Sequence, residues 1–196
     1  MIEEVALLEA WRRGDDSAGE ALTRQAFPLV FRFFDTKARR QALDLTQQTF
    51  LALAEGRGRT EIRSSFRAYV LGIARHVLIA HLRRHARHGF EPDHASVLEV
   101  LVDPGTSPTA RLHADEQRTR IVRALQRLTL DHQVALEMHY WNELSIAEIA
   151  DVLDCTAGSI KARLFRARKA LQAVVAADGY APSVGALEDE LGSVTG

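Results

Sequence analysis

Cysteine, long apolar runs and strand-like alternation are all scarce in this sequence of 196 residues. Cys155 is the only cysteine, so no disulfide can form within the chain, as is typical of proteins in a reducing cytoplasm. No run is apolar enough for a membrane span, and residues 1–16 are acidic, unlike a secretory signal. Because alternating runs of Val, Thr and Tyr are nearly absent, the sequence predicts an all-α, soluble, cytoplasmic protein.

Patterns typical of catalysis or metal binding are also missing. The sequence contains no nucleophile–base set and no phosphate-binding loop, so we expect neither enzymatic activity nor a cofactor. His81, His85 and His88 have the spacing of one helix face, which would suit a metal ion. No carboxylate or cysteine nearby completes a ligand set, and neighbouring arginines oppose a cation. We therefore expect no metal site, and we interpret these histidines as part of a basic surface.

The charges are segregated, although the net charge is only −1. Residues 62–90 carry arginines and no acidic residue, and the segment between Asp154 and Asp178 is also free of acids. Acidic residues collect instead in segments 91–116 and 178–190. Two basic stretches in a nearly neutral chain favour two separate surfaces for nucleic acid.

Residues 144–171 have the pattern of a helix-turn-helix unit. Ser145 and Glu148 fit the S-x-x-E capping box that opens a helix. Residues 154–155 break the apolar pattern, and Thr156 is predicted to cap a second helix. Apolar positions recur at helical spacing: Ile146, Ile149, Ala150 and Leu153 in the first helix, and Ile160, Leu164, Ala167 and Leu171 in the second.

The second helix has an outer surface suited to the major groove of DNA, with small residues at its start and cations beyond. Arginine and lysine pair with guanine edges, whereas Ala162 or Phe165 can contact thymine methyl groups. The alternative is a solvated helix whose arginines serve only solubility. The residues predicted to face DNA are Thr156, Gly158, Ser159, Lys161, Ala162, Arg163, Phe165, Arg166 and Lys169.

The segment ELSIAEIADVLDCTAGSIKARLFRARKAL resembles region 4 of the sigma-70 family of bacterial RNA polymerase sigma factors. It is most similar to the short extracytoplasmic-function (ECF) group, whose pattern is GLSxxEIAxxL-x(3)-GTVxSRLxRAR. The resemblance implies that the second helix faces the minus-35 promoter element. Ala162 stands where the family commonly has Ser, which removes one polar contact.

The segment FRAYVLGIARHVLIAHLRR, residues 66–84, is similar to region 2.4 of the family, RAWLFRIARNxxIDxLRR. The resemblance implies a minus-10 surface on this helix and on the preceding loop, which helps to capture a flipped base. His76 replaces the usual Asn, Ala80 replaces the usual Asp, and a place in the core is the alternative for Phe66. The residues implied are Arg57, Arg59, Arg63, Phe66, Arg67, Arg75, His76, Arg83 and Arg84.

Residues 42–55, ALDLTQQTFLALAE, form an amphipathic pattern. We expect Leu43, Phe50, Leu53 and Ala54 to be buried. In the family a DLxQExF surface grips the largest subunit of the polymerase, so the resemblance implies that Asp44, Gln47 and Gln48 contact core polymerase. Gln48 stands where Glu is usual, and an ordinary solvated face is the alternative.

Three helix boundaries follow from cap and breaker residues. Asp16 or Ser17 is predicted to cap the second N-terminal helix, and Asp131 the helix that bears Val134. Pro28 is expected at a boundary or a kink.

We therefore expect two small helical domains joined by a flexible linker. Residues 1–88 would form the region 2 domain, 89–116 the linker and 117–173 the region 4 domain. Residues 174–196 would form a disordered acidic tail, with a short helix over 184–191 as the alternative.

The resemblance implies an ECF sigma factor, whose partners would be core RNA polymerase, promoter DNA and an anti-sigma factor. Its role would be promoter recognition, DNA melting and transcription initiation. Two alternatives remain: a sigma-like decoy that binds an anti-sigma factor, and a stand-alone helix-turn-helix transcription regulator.

Overall fold

A computed structural model describes residues 2–56, 64–87, 119–180 and 184–193. All regular secondary structure in these ranges is helical, which confirms the predicted all-α class. The chain divides into two compact units, one of Met1–Asp93 with Ala147–Cys155 and one of His94–Ile146 with Thr156–Gly196. The domain limits predicted at residues 88, 116 and 173 stay predictions. In the described ranges, none of the helices combines the length and the apolar character that a membrane crossing requires.

The first unit is built on a long helix that packs against its neighbours. Its helices are α1 (Ile2–Arg12), α2 (Asp16–Ala38), α3 (Ala42–Glu55) and α4 (Phe66–Arg87), and α2 contacts the other three. A 3₁₀ turn, Arg39–Gln41, joins α2 to α3. Pro28 lies inside α2, so no helix boundary falls there, and the kink that was the other expectation stays a prediction.

The N-cap of α2 is Asp15 and not Asp16 or Ser17. The Asp15 carboxylate accepts hydrogen bonds from the backbone N–H groups of Ser17 and Ala18, at 3.0 and 3.3 Å. Together with the Ser17 hydroxyl, which donates at 2.6 Å, these bonds hold the pKa of Asp15 below its ordinary value. The predicted N-cap was displaced by at least one residue because three consecutive residues, 15–17, all have cap-forming side chains.

The core of the first unit is formed mainly by large apolar side chains of α2, α3 and α4. Phe33 and Phe34 meet edge to face, with their ring centroids 5.4 Å apart, and both are almost fully buried. A Cβ atom at Gly19 would lie 2.3 Å from Trp11 Nε1, so the close approach of α1 to α2 requires glycine there.

The second unit contains the helical residues 119–126 (α5), α6 (Leu130–Leu136), a π-helical turn (Glu137–Trp141), α8 (Ala157–Ala177) and α9 (Val184–Ser193). The helix α7 (Ile146–Leu153) lies between them in the chain but groups with the first unit. The α6 helix packs against α8. Its N-cap is Thr129 and not Asp131, which lies in the first turn.

The expectation of a disordered tail from residue 174 differs from the structure. The α8 helix continues to Ala177, and α9 covers the predicted alternative, 184–191. Leu187 and Leu191 are 1% and 0% exposed, respectively. Leu187 and Leu191 lie four residues apart on one face of α9, and their burial offsets the entropy lost when the helix orders. The prediction of disorder rested on the acidic composition of the tail, which does not register this apolar pair.

Candidate nucleic-acid interface

The turn before α8 fixes where that helix begins. Asp154 adopts a left-handed conformation (φ 49°) after α7, and the Cys155 N–H donates to the Ala150 carbonyl at 3.0 Å. Thr156 is extended, and its hydroxyl oxygen accepts the Ser159 N–H at 3.1 Å. The predicted N-cap at Thr156 is therefore confirmed, and the tight turn puts residues 157–159 in the first turn of α8.

The α8 helix buries one face and exposes the opposite one. The predicted core stripe of Ile160, Leu164, Ala167 and Leu171 is buried. Arg163 is half-buried, and the ring-bearing Phe165 is 64% exposed. The remaining residues predicted to face DNA are all exposed: Thr156, Gly158, Ser159, Lys161, Ala162, Arg166 and Lys169.

The exposed face of α8 is suited to an anionic, grooved ligand. Its first turn lacks acidic residues, and the N-terminal end of a helix carries a partial positive charge that favours phosphate. Beyond this end lie three exposed cations, Lys161, Arg166 and Lys169, around the apolar Phe165. This face offers both charge for a backbone and side chains for base edges.

The α4 helix exposes a second set of basic side chains. Arg67, His76, Arg83 and Arg84 are exposed, and Arg75 is half-buried. His76 Nδ1 lies 2.9 Å from the Gly72 carbonyl oxygen. Because a carbonyl can only accept, Nδ1 is the donor, which leaves Nε2 as the ring nitrogen available to another group.

Phe66 is not part of this exposed set. It is 5% exposed, so its ring packs in the core of the first unit and not on a surface open to a base. The structure thus favours the core alternative for Phe66. Three further residues predicted for the minus-10 surface, Arg57, Arg59 and Arg63, lie outside the described residues.

The predicted polymerase-binding side chains lie on the outer face of α3. Asp44 and Gln47 are exposed, and half-buried Gln48 donates to Asp44 Oδ2 at 2.7 Å. This bond holds the two polar groups side by side, one turn apart.

The predicted burial of α3 was only partly right. Leu53 is buried and Phe50 half-buried, but Ala54 is exposed and Leu43 is 54% exposed. The buried face consists of Ala42, Leu45, Thr46, Thr49 and Leu53. Both threonine hydroxyls donate to backbone carbonyls four residues earlier, at 2.7 and 2.8 Å, which satisfies them inside the core.

Sequence reasoning therefore missed two exposed apolar residues beside the polar group. Leu43 and Leu51 are 54% and 62% exposed, and they flank Gln47 at intervals of four residues. The spacing 43–47–51 is a helical face, and it was the available signal. Phe27 of α2 extends the apolar surface, stacked on Phe50 with a centroid separation of 6.3 Å.

The histidines of α4 do not form a described metal site. Among the described residues, no group of three His, Cys, Asp or Glu side chains could hold a metal ion. His81 is 8% exposed, while the side chains of His85 and His88 lie outside the described part of the chain.

Family comparisons match both halves of the chain. The model of sigma-70 region 2 matches residues 20–88, and the model of sigma-70 region 4 matches residues 118–171. The first match contains the basic α4 helix and the second contains residues 157–171 of α8, in the chain order that the sequence patterns indicated.

Curated relatives are similar over most of their length. The ECF RNA polymerase sigma factor SigC of Mycobacterium tuberculosis is 33% identical over 169 residues, covering 86% of this chain and 89% of SigC. The RNA polymerase sigma-H factor of Pseudomonas aeruginosa is 28% identical, covering 86% and 92% of the two chains.

A solved structure shares the fold. The sigma factor RpoE of Bartonella quintana, crystallised with the anti-sigma factor NepR, has a TM-score of 0.63 and 23% identity. The match covers 79% of this chain and 94% of that one.

Proposed function

This chain belongs to the sigma-70 family, in its ECF group, and from that premise we propose that it binds core RNA polymerase and directs initiation at specific promoters. The proposal assigns one step to each exposed surface: α8 to the minus-35 element, α4 to the minus-10 element and α3 to the polymerase. The protein itself would catalyse no reaction and would act in the cytoplasm, where polymerase and promoters meet.

The minus-35 step is assigned to the N-terminal half of α8. The exposed face of Lys161, Phe165 and Arg166 is free of acidic residues, so it meets a phosphate backbone without repulsion. The Thr156 cap and the buried stripe leave this face pointing away from the core of its own unit. Side chains near a helix N-terminus read base edges when the helix enters the major groove.

The minus-10 step is assigned to α4. Arg67, Arg83 and Arg84 are exposed and would bind the backbone of a separated strand. His76 would contact a base in place of the usual Asn. Its free Nε2 accepts a hydrogen bond when the ring is neutral, so it pairs with an exocyclic amine.

The polymerase step is assigned to the outer face of α3. Asp44, Gln47 and Gln48 supply polar contacts, and Leu43 and Leu51 add exposed apolar area on the same helix. Apolar side chains that remain exposed beside polar groups are typical of a protein-binding surface. This adds two residues to the surface that the resemblance implied.

The observation that carries the proposal is the presence of both regions in one chain, each with its basic face exposed. A stand-alone regulator needs only the α8 unit, and a decoy needs no acid-free face that fits a groove. The departures at Gln48, His76, Ala80 and Ala162 affect individual contacts and leave the exposed cations of both helices in place.

The direct test is transcription in vitro with the purified chain, core polymerase and promoter fragments from the source genome. We expect initiation at discrete start sites that core polymerase alone does not use. Arg166→Ala should reduce initiation while binding to core is retained, whereas Leu51→Ser should reduce binding to core. Binding of the chain to core without initiation at any fragment, or no binding to core, would contradict the proposal; the latter would favour the decoy or the stand-alone regulator.

We further propose an anti-sigma partner. The supporting observation is the shared fold with a sigma factor crystallised in complex with an anti-sigma factor. Affinity capture from the source cells with the tagged chain should yield a protein that blocks its binding to core. If no captured protein inhibits that binding, the partner is excluded while the polymerase role stands.

A further inference from the structure

The C-terminal helix α9 is joined to the second unit by buried contacts. Leu187 and Leu191 are almost completely buried. The indole Nε1 of Trp141, in the π-helical turn, donates to the Leu191 carbonyl oxygen at 2.9 Å in a buried position. This carbonyl lies near the end of α9, where backbone acceptors have no partner within the helix, so the indole satisfies one of them.

A polar cluster next to this core connects α9 to α8. Arg168, on the flank of α8, pairs with Glu188 of α9 at 3.1 Å. The same guanidinium donates to the Tyr140 hydroxyl at 3.1 Å. Both side chains of the ion pair are only about one-third exposed, at 29% and 36%, so solvent screens the pair less than a fully exposed one.

Three contacts hold Asp178 and Tyr180, which follow α8. Asp178, the C-cap of α8, pairs with Arg127 through two bonds of 2.8 Å. The Tyr180 hydroxyl donates to the Glu190 carboxylate of α9, and Arg120 lies over the Tyr180 ring at 4.9 Å from its centroid. Asp178, Glu188 and Glu190 thus each have a partner within the second unit.

We propose that α9 is a clamp that positions the recognition helix α8, acting through the cluster of Tyr140, Arg168 and Glu188. This inference rests on the proposed promoter-binding role of α8. It adds a positioning element that lies beyond the family match, which ends at residue 171.

The clamp acts at a distance along a continuous helix. Arg168 lies ten residues beyond Gly158, which is about 15 Å along α8. The α6 helix packs on α8 as well, and α9 adds a second support. A tilt of α8 about these supports would displace the base-reading side chains, and specific contacts tolerate only small displacements.

Matched variants separate a clamp from a general effect of charge. Glu188→Gln removes the charge that pairs with Arg168. Asp189→Asn removes one charge from the same helix at an exposed residue that forms no ion pair within the described part of the chain. Arg168→Glu breaks the pair by repulsion, and combining it with Glu188→Arg restores opposite charges.

The readout is initiation by holoenzyme at a promoter mapped with the unaltered chain, with its native or a scrambled minus-35 element. We expect Glu188→Gln to lower the preference for the native element about fivefold. A change of this size corresponds to the loss of one hydrogen-bonded contact. Asp189→Asn should leave that preference unchanged, and the charge-swapped pair should recover most of it. Binding to core should stay constant in all variants, which a general loss of folding would not allow.

Two results would overturn the clamp. Equal effects of Glu188→Gln and Asp189→Asn would indicate that α9 acts only through its negative charge. An unchanged preference in both Glu188→Gln and Arg168→Glu would indicate that the cluster has no role in positioning.

Hydrogen exchange of α8 tests the clamp without any promoter. Glu188→Gln should speed exchange of backbone amides in residues 157–177 of the full-length chain, whereas Asp189→Asn should not. Unchanged exchange would contradict the clamp. If the unaltered chain selects no promoter, the proposed function fails on its own, and this measurement still decides the clamp.

Discussion

At the scale of single residues, Phe165 is a large apolar side chain on the exposed face of α8. Phe165 is 64% exposed, so it buries little apolar surface in its own unit. Apolar side chains in the major groove contact the C5-methyl group of thymine. We therefore infer that Phe165 reads at least one thymine of the minus-35 element.

Replacing thymine by uracil removes only that methyl group. We expect uracil substitution at the contacted position to weaken holoenzyme binding about five- to tenfold, within the range of single-base discrimination. Competition binding with single-site uracil probes measures the effect. The Phe165→Ala protein should be insensitive to the same substitution, and equal sensitivity of the two proteins would contradict the assignment.

Thr156 makes a separate prediction about stability. Thr156→Ala removes the acceptor for the Ser159 N–H, and loss of an N-cap costs about 1 kcal/mol. Thr156→Ser keeps the hydroxyl and should have little effect. Urea unfolding of the three proteins measures the difference, and equal unfolding free energies would indicate that the cap contributes nothing to stability.

Single residues were predictable where one signal dominated. The α8 stripe and the Thr156 cap followed from spacing because the helix has one apolar face and one candidate cap. Asp15 was missed because its neighbours have equal capping ability. Phe66 could be assigned to core or surface, since an aromatic ring suits both and only the packing of the first unit decides.

At the scale of elements, α3 illustrates why a helix can be predicted while its rotation is not. The predicted core set of Leu43, Phe50, Leu53 and Ala54 left out Leu45, Thr46 and Thr49, so the predicted buried face was rotated about the helix axis. Thr46 and Thr49 are fully buried because their hydroxyls bond to carbonyls of the same helix, which a hydrophobicity pattern does not register.

This rotation yields a prediction for binding to core polymerase. Leu43→Ser should weaken the complex about tenfold, because burying a leucine at an interface contributes on the order of 1.5–3 kcal/mol. Val5→Ser is the matched control, since Val5 is exposed to the same extent, 54%, on α1. Titration of labelled core measures both, and equal losses would contradict a specific role for α3.

The C-terminal element has a pH dependence of its own. Burial raises the pKa of Tyr140, and the hydrogen bond to Glu190 raises the pKa of Tyr180. A raised folded-state pKa means that the folded state retains these protons more tightly. The stabilisation that results from the raised pKa is therefore complete below the pKa of tyrosine in the unfolded chain. It is lost as the pH rises through the pKa of the folded chain.

We therefore expect the second unit to lose stability above about pH 10, the ordinary tyrosine pKa. Urea unfolding across that range, monitored by the fluorescence of Trp141 in a Trp11→Phe background where it is the only tryptophan, measures the loss. Tyr140→Phe should flatten the dependence, because it removes one of the two groups. A stability that does not change in the unaltered chain would contradict the assignment.

At the scale of the whole molecule, the distribution of charge matters more than its sum. The net charge is −1, yet the outer faces of α4 and α8 carry cations and no acids. The order of residues in the sequence predicted this segregation, but it did not predict that acidic residues near α8 form ion pairs. Glu188 and Asp178 are paired with arginines of the second unit and are not spread through solvent.

This distribution leads to a prediction about the free chain. The net charge is −1, and the exposed cations are divided between α4 and α8. The chain alone therefore places few cations on one DNA molecule, releases few counterions and should bind promoter duplex only weakly. We expect its affinity to remain in the non-specific range of about 10⁻⁴–10⁻⁶ M at physiological salt, with no preference for the native minus-35 element. Fluorescence anisotropy over a series of salt concentrations measures both properties.

Addition of core polymerase should produce the preference, because docking through α3 allows the basic faces to act on one DNA molecule and raises their effective concentration. Tight, selective binding by the free chain would instead favour a stand-alone regulator.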